Sequence, residues 1–174
     1  MVTSLALVQH LPVKSMLAYL CPAAIIALLL ARWGRANLAF ALVALPGTIA
    51  HELLHFIVGF LTLARPVRLS LWPHRAADGS YVFGAVVFAN VRWWNAAPAS
   101  LAPLLGFAIA PVVAWLRVRH GFHPSAWDAM LWLCLAQLLM AAWPSSVDWR
   151  LSLRSWPFLV IGTAGAFLIR FVHG

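Results

Sequence analysis

The chain has 174 residues, of which 64% are hydrophobic and only 9% charged. A water-soluble domain carries about 25% charged residues, so the composition excludes an ordinary soluble fold and indicates a polytopic membrane protein. The formal charge of +8 comes from 12 basic residues against four acids; because the arginines flank apolar runs, it points to anionic lipid headgroups and topology and not to nucleic acid.

Five apolar segments, at about 16–33, 37–63, 98–117, 126–143 and 155–172, approach the ~20 residues that a bilayer-crossing helix needs. Trp33, Trp94, Trp115, Trp127, Trp143 and Trp156 stand at their ends, where amphipathic rings sit at headgroup level. The expected fold is therefore a single all-α integral membrane domain over 1–174. Ser125-x-x-Asp128 predicts a capping box at the start of the fourth segment. Cys21 and Cys134 lie in separate apolar runs and form no metal or redox motif.

Between the second and third segments the pattern changes. Val67, Leu69 and Leu71 alternate with Arg68, Ser70 and Trp72; an Asp78-Gly79 turn follows, and then the β-favouring run YVFGAVVFANV. This predicts a β-hairpin over about 66–92. A lone hairpin is marginal in water, so it is expected to lie against the bundle or the bilayer surface. With five spans, Lys14, Arg65, Arg68, Arg75, Arg92, Arg150 and Arg154 fall on one side, and Arg32, Arg35, Arg117, Arg119 and Arg170 on the other. Seven against five puts the N-terminus and hairpin in the cytoplasm and the C-terminus outside; the expected location is a bacterial inner (cell) membrane.

The second segment contains HELLH at positions 51–55, with the chain's only glutamate. Helical positions i and i+4 share one face about 6 Å apart along the axis, so His51 and His55 can hold one metal ion. Glu52 is rotated by about 100° and can still reach a water on that metal. Two imidazoles on Zn²⁺ with a glutamate as general base is the zinc-hydrolase arrangement. A glutamate at membrane depth costs about 2.5–3.5 kcal/mol or more unless paired or wetted, which also marks it as functional.

A catalytic zinc takes three protein ligands and leaves one position open. Asp148 is the candidate third ligand: Pro144 breaks the fourth segment, and Ser145 and Ser146 can satisfy freed backbone groups. The competing partners for Asp148 are Arg150 and Arg154. The second and fourth segments run in the same direction, so HELLH and Asp148 arrive near the same side. The His120-x-x-His123 pair reads as a solvated loop. Pro46 and Gly47, one turn before His51, are expected to bend the helix and admit water.

An intramembrane HExxH, a following hairpin and a proline-led aspartate after a later helix resemble the site-2 protease family of intramembrane zinc metalloproteases. The family's NxxPxxxLDG corresponds here to AAWPSSVDW, with Val147 for the leucine, Trp149 for the glycine and an alanine for the asparagine. Its GPxxN-like stretch corresponds to APLLG, ending in Gly106. The resemblance covers about 37–149, the catalytic core. It implies hydrolysis of a peptide bond in or next to a transmembrane segment of a membrane-protein substrate. It also implies that the hairpin edge holds the unwound substrate as an added strand, with Val82, Gly84, Val86, Phe88 and Asn95 as the contacting residues. A non-proteolytic zinc protein of the membrane (a scaffold or another hydrolase) and a metal transporter are the alternative readings of the same motif.

Overall fold

The structure, a computed structural model, describes residues 13–32, 38–72, 74–75, 81–82, 84–119, 121 and 123–173. It is mostly helical with a small antiparallel hairpin. Helix α1 spans Val13–Arg32, α2 Leu38–Val43 and α3 Leu45–Leu61. Strands β1 (Pro66–Ser70), β2 (His74–Arg75), β3 (Tyr81–Val82) and β4 (Ala85–Phe88) follow. Then come α4 (Ala96–Ser100), a 3₁₀ turn (Ala102–Leu105), α5 (Gly106–Val118), α6 (Ala126–Ala141), α7 (Ser146–Ser152), a second 3₁₀ turn (Leu153–Ser155) and α8 (Trp156–His173).

Helix α6 is the hub, packing on α1, α3 and α5. Its contacts are made by small side chains. Ala23, Ala27, Ala110, Ala114 and Ala136 are buried in the α1–α5–α6 cluster beside Tyr19, Val118 and Leu135. The large apolar side chains point outward instead, with Leu29 64%, Phe60 68% and Phe171 79% exposed. Small residues let helix backbones approach closely, the packing rule of helices in lipid. By length and composition α1 can cross a membrane, and α6 with the segment Ser146–Phe158 passes the same test as one pair bent by 55°.

Two expected segments are broken. The second is interrupted at Ala44: Pro46 sits in the first turn of α3 and has no N–H to offer the preceding turn. Gln137 of α6 donates through Nε2 to the Val43 carbonyl at this break, at 2.8 Å. The third segment is three pieces, because Pro103 opens a 3₁₀ turn between α4 and α5. The longest regular piece is the 13 residues of α5, about 20 Å of helix and shorter than a span.

The hairpin forms as expected, with β1 antiparallel to β4 and β2 antiparallel to β3; its Asp78-Gly79 turn lies outside the described residues. The simple alternation fails at one point. Pro66 pairs with Phe88 and Arg68 with Val87, so Val67 is an extra residue, 65% exposed. The turn into the hairpin is strained: Leu63 and Arg65 have φ of 57° and 54°. Ala64 donates to Gly59 O and Leu63 to Phe60 O, which is a Schellman cap with leucine where glycine is usual.

The capping box at Ser125 and Asp128 is present, and Asp128 does more than close it. Its carboxylate, 1% exposed, accepts from Tyr19 Oη of α1 at 2.7 Å and from Arg117 of α5 at 2.8 and 2.9 Å. One carboxylate thus ties three helices together. Replacing Tyr19 with Phe removes one hydrogen bond to a charged group, so it should lower unfolding stability by about 2 kcal/mol. Thermal unfolding in detergent with metal content measured in parallel checks this; the metal content should not change, because the network lies at the opposite end of α6 from the histidines.

Candidate metal centre

His51 and His55 project from one face of α3 toward the end of α6. Helices α3 and α6 lie side by side and run in the same direction. They approach closely because Gly47 has no side chain: a Cβ there would lie 2.8 Å from the Gln137 carbonyl and 3.2 Å from Ala141 Cβ. One turn later His51 Nδ1 reaches the Ala141 carbonyl at 2.6 Å. His55 Nδ1 reaches the Ala99 carbonyl at 2.8 Å. Both carbonyls belong to the last turn of a helix, where they have no intrahelical donor.

These two hydrogen bonds decide the chemistry of the rings. A carbonyl only accepts, so each Nδ1 carries the proton and each Nε2 of a neutral ring presents a lone pair. The two Nε2 atoms are 3.1 Å apart. Asp148 completes the triangle: Oδ2 is 3.5 Å from His51 Nε2, and Oδ1 is 3.2 Å from His55 Nε2. Ligands at 2.0–2.2 Å on a tetrahedral ion are separated by about 3.3 Å, so the group has the spacing to hold a metal ion. Three electron-pair donors converge there with no donor hydrogen between the neutral rings, which is the fit a cation satisfies.

Asp148 is held by its own helix end. It is the third residue of α7, where Ser145 N donates to Oδ2 at 2.7 Å and Ser145 Oγ accepts from Asp148 N at 3.2 Å. This is the same capping box as at Ser125–Asp128. Asp128 has the Arg117 guanidinium as its counter-charge. Asp148 has two imidazoles, and among the described residues no pair with Arg150 or Arg154 is formed.

Glu52, 7% exposed, lies in the same cavity of about 460 Å³ as the three donors. The cavity is walled by Phe40 of α2, Ala44 at the break and Thr48 of α3, by Met140, Trp143 and Pro144 at and just past the end of α6, and by Val147 and Leu151 of α7. Gly84, Ala85, Val86 and Phe88 of the hairpin close another side.

Of the expected strand contacts, Gly84, Val86 and Phe88 therefore line the cavity, and the side chain of Val82 lies outside the described residues. Asn95 is placed differently. It is wholly buried and absent from the cavity wall. Its amide is spent on structure: Oδ1 accepts from Arg92 N at 2.7 Å, and Nδ2 donates to Thr62 O at 3.2 Å and Asn90 O at 3.0 Å. Asn95 locks the hairpin's exit onto the end of α3. Gly106 packs against α6, where a Cβ would lie 2.9 Å from Ala142 Cβ.

The sequence reading missed the two orienting carbonyls, which have no side-chain signal. It also missed the second capping box, although Ser145-x-x-Asp148 repeats the spacing recognised at Ser125. No protein-family model, curated protein or solved structure matches this chain.

Asn95 gives a direct check of its position. Asn95→Ala leaves buried backbone groups without partners, so it should cost about 2–4 kcal/mol of stability. Thermal unfolding should show this loss, and metal content at temperatures where the variant is folded should equal that of the unmodified chain.

Proposed function

We propose that this chain is a polytopic membrane zinc metalloprotease of the site-2 protease type. The observation that carries the reading is the convergence of two tautomerically fixed Nε2 atoms and one carboxylate at tetrahedral spacing, with a buried glutamate in the same cavity. A His₂-carboxylate donor set suits Zn²⁺ and leaves its fourth position open. The outward-facing large apolar side chains and alanine-rich interior support a lipid surround.

His51, His55 and Asp148 would hold the zinc, which would supply a Lewis acid and lower the pKa of a bound water to about 7. Glu52, in the same cavity, would act as the general base, taking a proton from an attacking water and giving it to the leaving amine. The Ala141 and Ala99 carbonyls keep both rings turned to the centre, the orienting role that outer partners play around metal ligands. The substrate enters as an extended strand. Strand β4 pairs with β1 along one edge and, among the described residues, carries no strand on the other. A peptide added there lies beside Val86 and Phe88, its carbonyls available because it has left its own helix.

Two variants separate the roles. His51→Ala removes a ligand, so bound zinc in detergent should fall from about one per chain to near zero. Glu52→Gln keeps the size of the side chain but not the base, so zinc should stay and hydrolysis of a membrane-embedded peptide should drop about 10²-fold or more. Stoichiometric zinc in His51→Ala, or wild-type cleavage by Glu52→Gln, overturns the reading.

A further inference from the structure

The hairpin touches α3 in a way that the metal site alone does not require. The β1–β4 ladder stops at Ser70 and Ala85, and the outer ladder resumes at His74 and Val82. Gly84 belongs to neither, and the space that a side chain would need there is taken. A Cβ on Gly84 would lie 2.6 Å from Glu52 Cγ and 2.8 Å from Glu52 Oε1. The backbone of the hairpin is thus laid directly against the side chain of the proposed base.

A reciprocal contact lies farther along. Seven residues after Glu52 on α3, the ring of Phe88 covers Gly59, and a Cβ on Gly59 would overlap that ring. Seven helical steps span about 10 Å and the four strand steps from Gly84 to Phe88 about 13 Å, so the two contacts lie a similar distance apart on the two elements. Past them, Asn90 N donates to Ala64 O and Ala89 N to Arg65 O. The hairpin therefore rides along α3 on two glycines, one on each partner, and is fastened at its exit.

We infer that Gly84 is a positioning residue, docking the hairpin on Glu52 and holding that carboxylate in the cavity. The inference rests on Glu52 being the general base. The packed backbone excludes water from one face of the carboxylate and limits its rotamers. Lifting the hairpin releases Glu52, so the base is set only when the hairpin is seated. The strand that receives substrate and the group that moves the proton are then one mechanical unit.

The test uses the full chain in detergent with Gly84→Ala, Gly59→Ala and the double variant Glu52→Ala/Gly84→Ala. Amide hydrogen exchange over residues 81–89 reads docking without needing activity. Exchange there should rise at least about tenfold in both single variants, with one zinc retained per chain. In the double variant the added Cβ no longer meets the glutamate side chain, so slow exchange should return. On a membrane-embedded peptide, kcat should fall about 10²-fold in Gly84→Ala while KM changes little. Gly59→Ala should lower kcat in the same sense, although Gly59 is not part of the cavity wall. Unchanged exchange in Gly84→Ala, a double variant that exchanges as fast as Gly84→Ala, or loss of zinc together with docking overturns the inference. A folded, zinc-loaded Gly84→Ala with wild-type kcat overturns it as well. If the unmodified chain cuts no peptide, the protease reading fails, and the exchange measurements still decide whether Gly84 seats the hairpin on Glu52.

Discussion

Everything at the candidate centre depends on how closely α3 approaches α6 at Gly47. With no Cβ between them, the Gln137 carbonyl and Ala141 pack against the α3 backbone. That spacing is what lets His51 reach the Ala141 carbonyl one turn later. The same alignment carries the Pro144 turn past His51 and sets Asp148 beside His55. A side chain at position 47 would push the helices apart and cost the first imidazole its orienting acceptor. Gly47 had been expected to bend the helix; its observed contribution is contact.

Three helix ends meet at the centre, and each supplies something that helix interiors cannot. The last turns of α4 and α6 offer carbonyls without intrahelical donors, and the first turn of α7 offers a carboxylate at a capping position. Carbonyl ends favour positive charge nearby, so the surroundings suit a cation as well as the ligands do. The comparison with Asp128 sharpens this. Both aspartates close the same kind of capping box, but Asp128 is neutralised by Arg117 while Asp148 faces rings whose lone pairs point at it. The first carboxylate is complete within the protein; the second has the geometry of one that shares an ion.

The interior of the bundle is made mostly of alanine, while most of the leucines, isoleucines and phenylalanines among the described residues are exposed or half-buried. In water such a surface would associate or aggregate, and in lipid it costs nothing to expose. In a lipid surround, close backbone contact would be the main source of helix–helix attraction. This explains why glycine and alanine recur where the elements carrying the site touch one another. Two of the acids in the bundle stand at opposite ends of α6, Asp128 in an ionic network and Asp148 beside the two histidines.

The sequence by itself determined the local features. The i, i+4 spacing placed His51 and His55 on one helical face, the alternating run supplied the paired strands of a hairpin, and Ser125-x-x-Asp128 made a cap. The tertiary structure decided the rest. Only the packed helices could show that Asp148 meets both histidines and leaves the neighbouring arginines, since an acid near the end of a helix has several partners within reach of its sequence neighbourhood. Only they could show that Asn95 is buried and spends its amide on the backbone around it, because an asparagine's hydrogen bonds depend on which carbonyls arrive around it. Backbone carbonyls carry no sequence signature at all, so the orientation of both imidazoles was invisible until the ends of α4 and α6 were placed beside them. The contact between Gly84 and Glu52 belongs to the same class: a missing side chain has meaning only once the atom that fills its space is known.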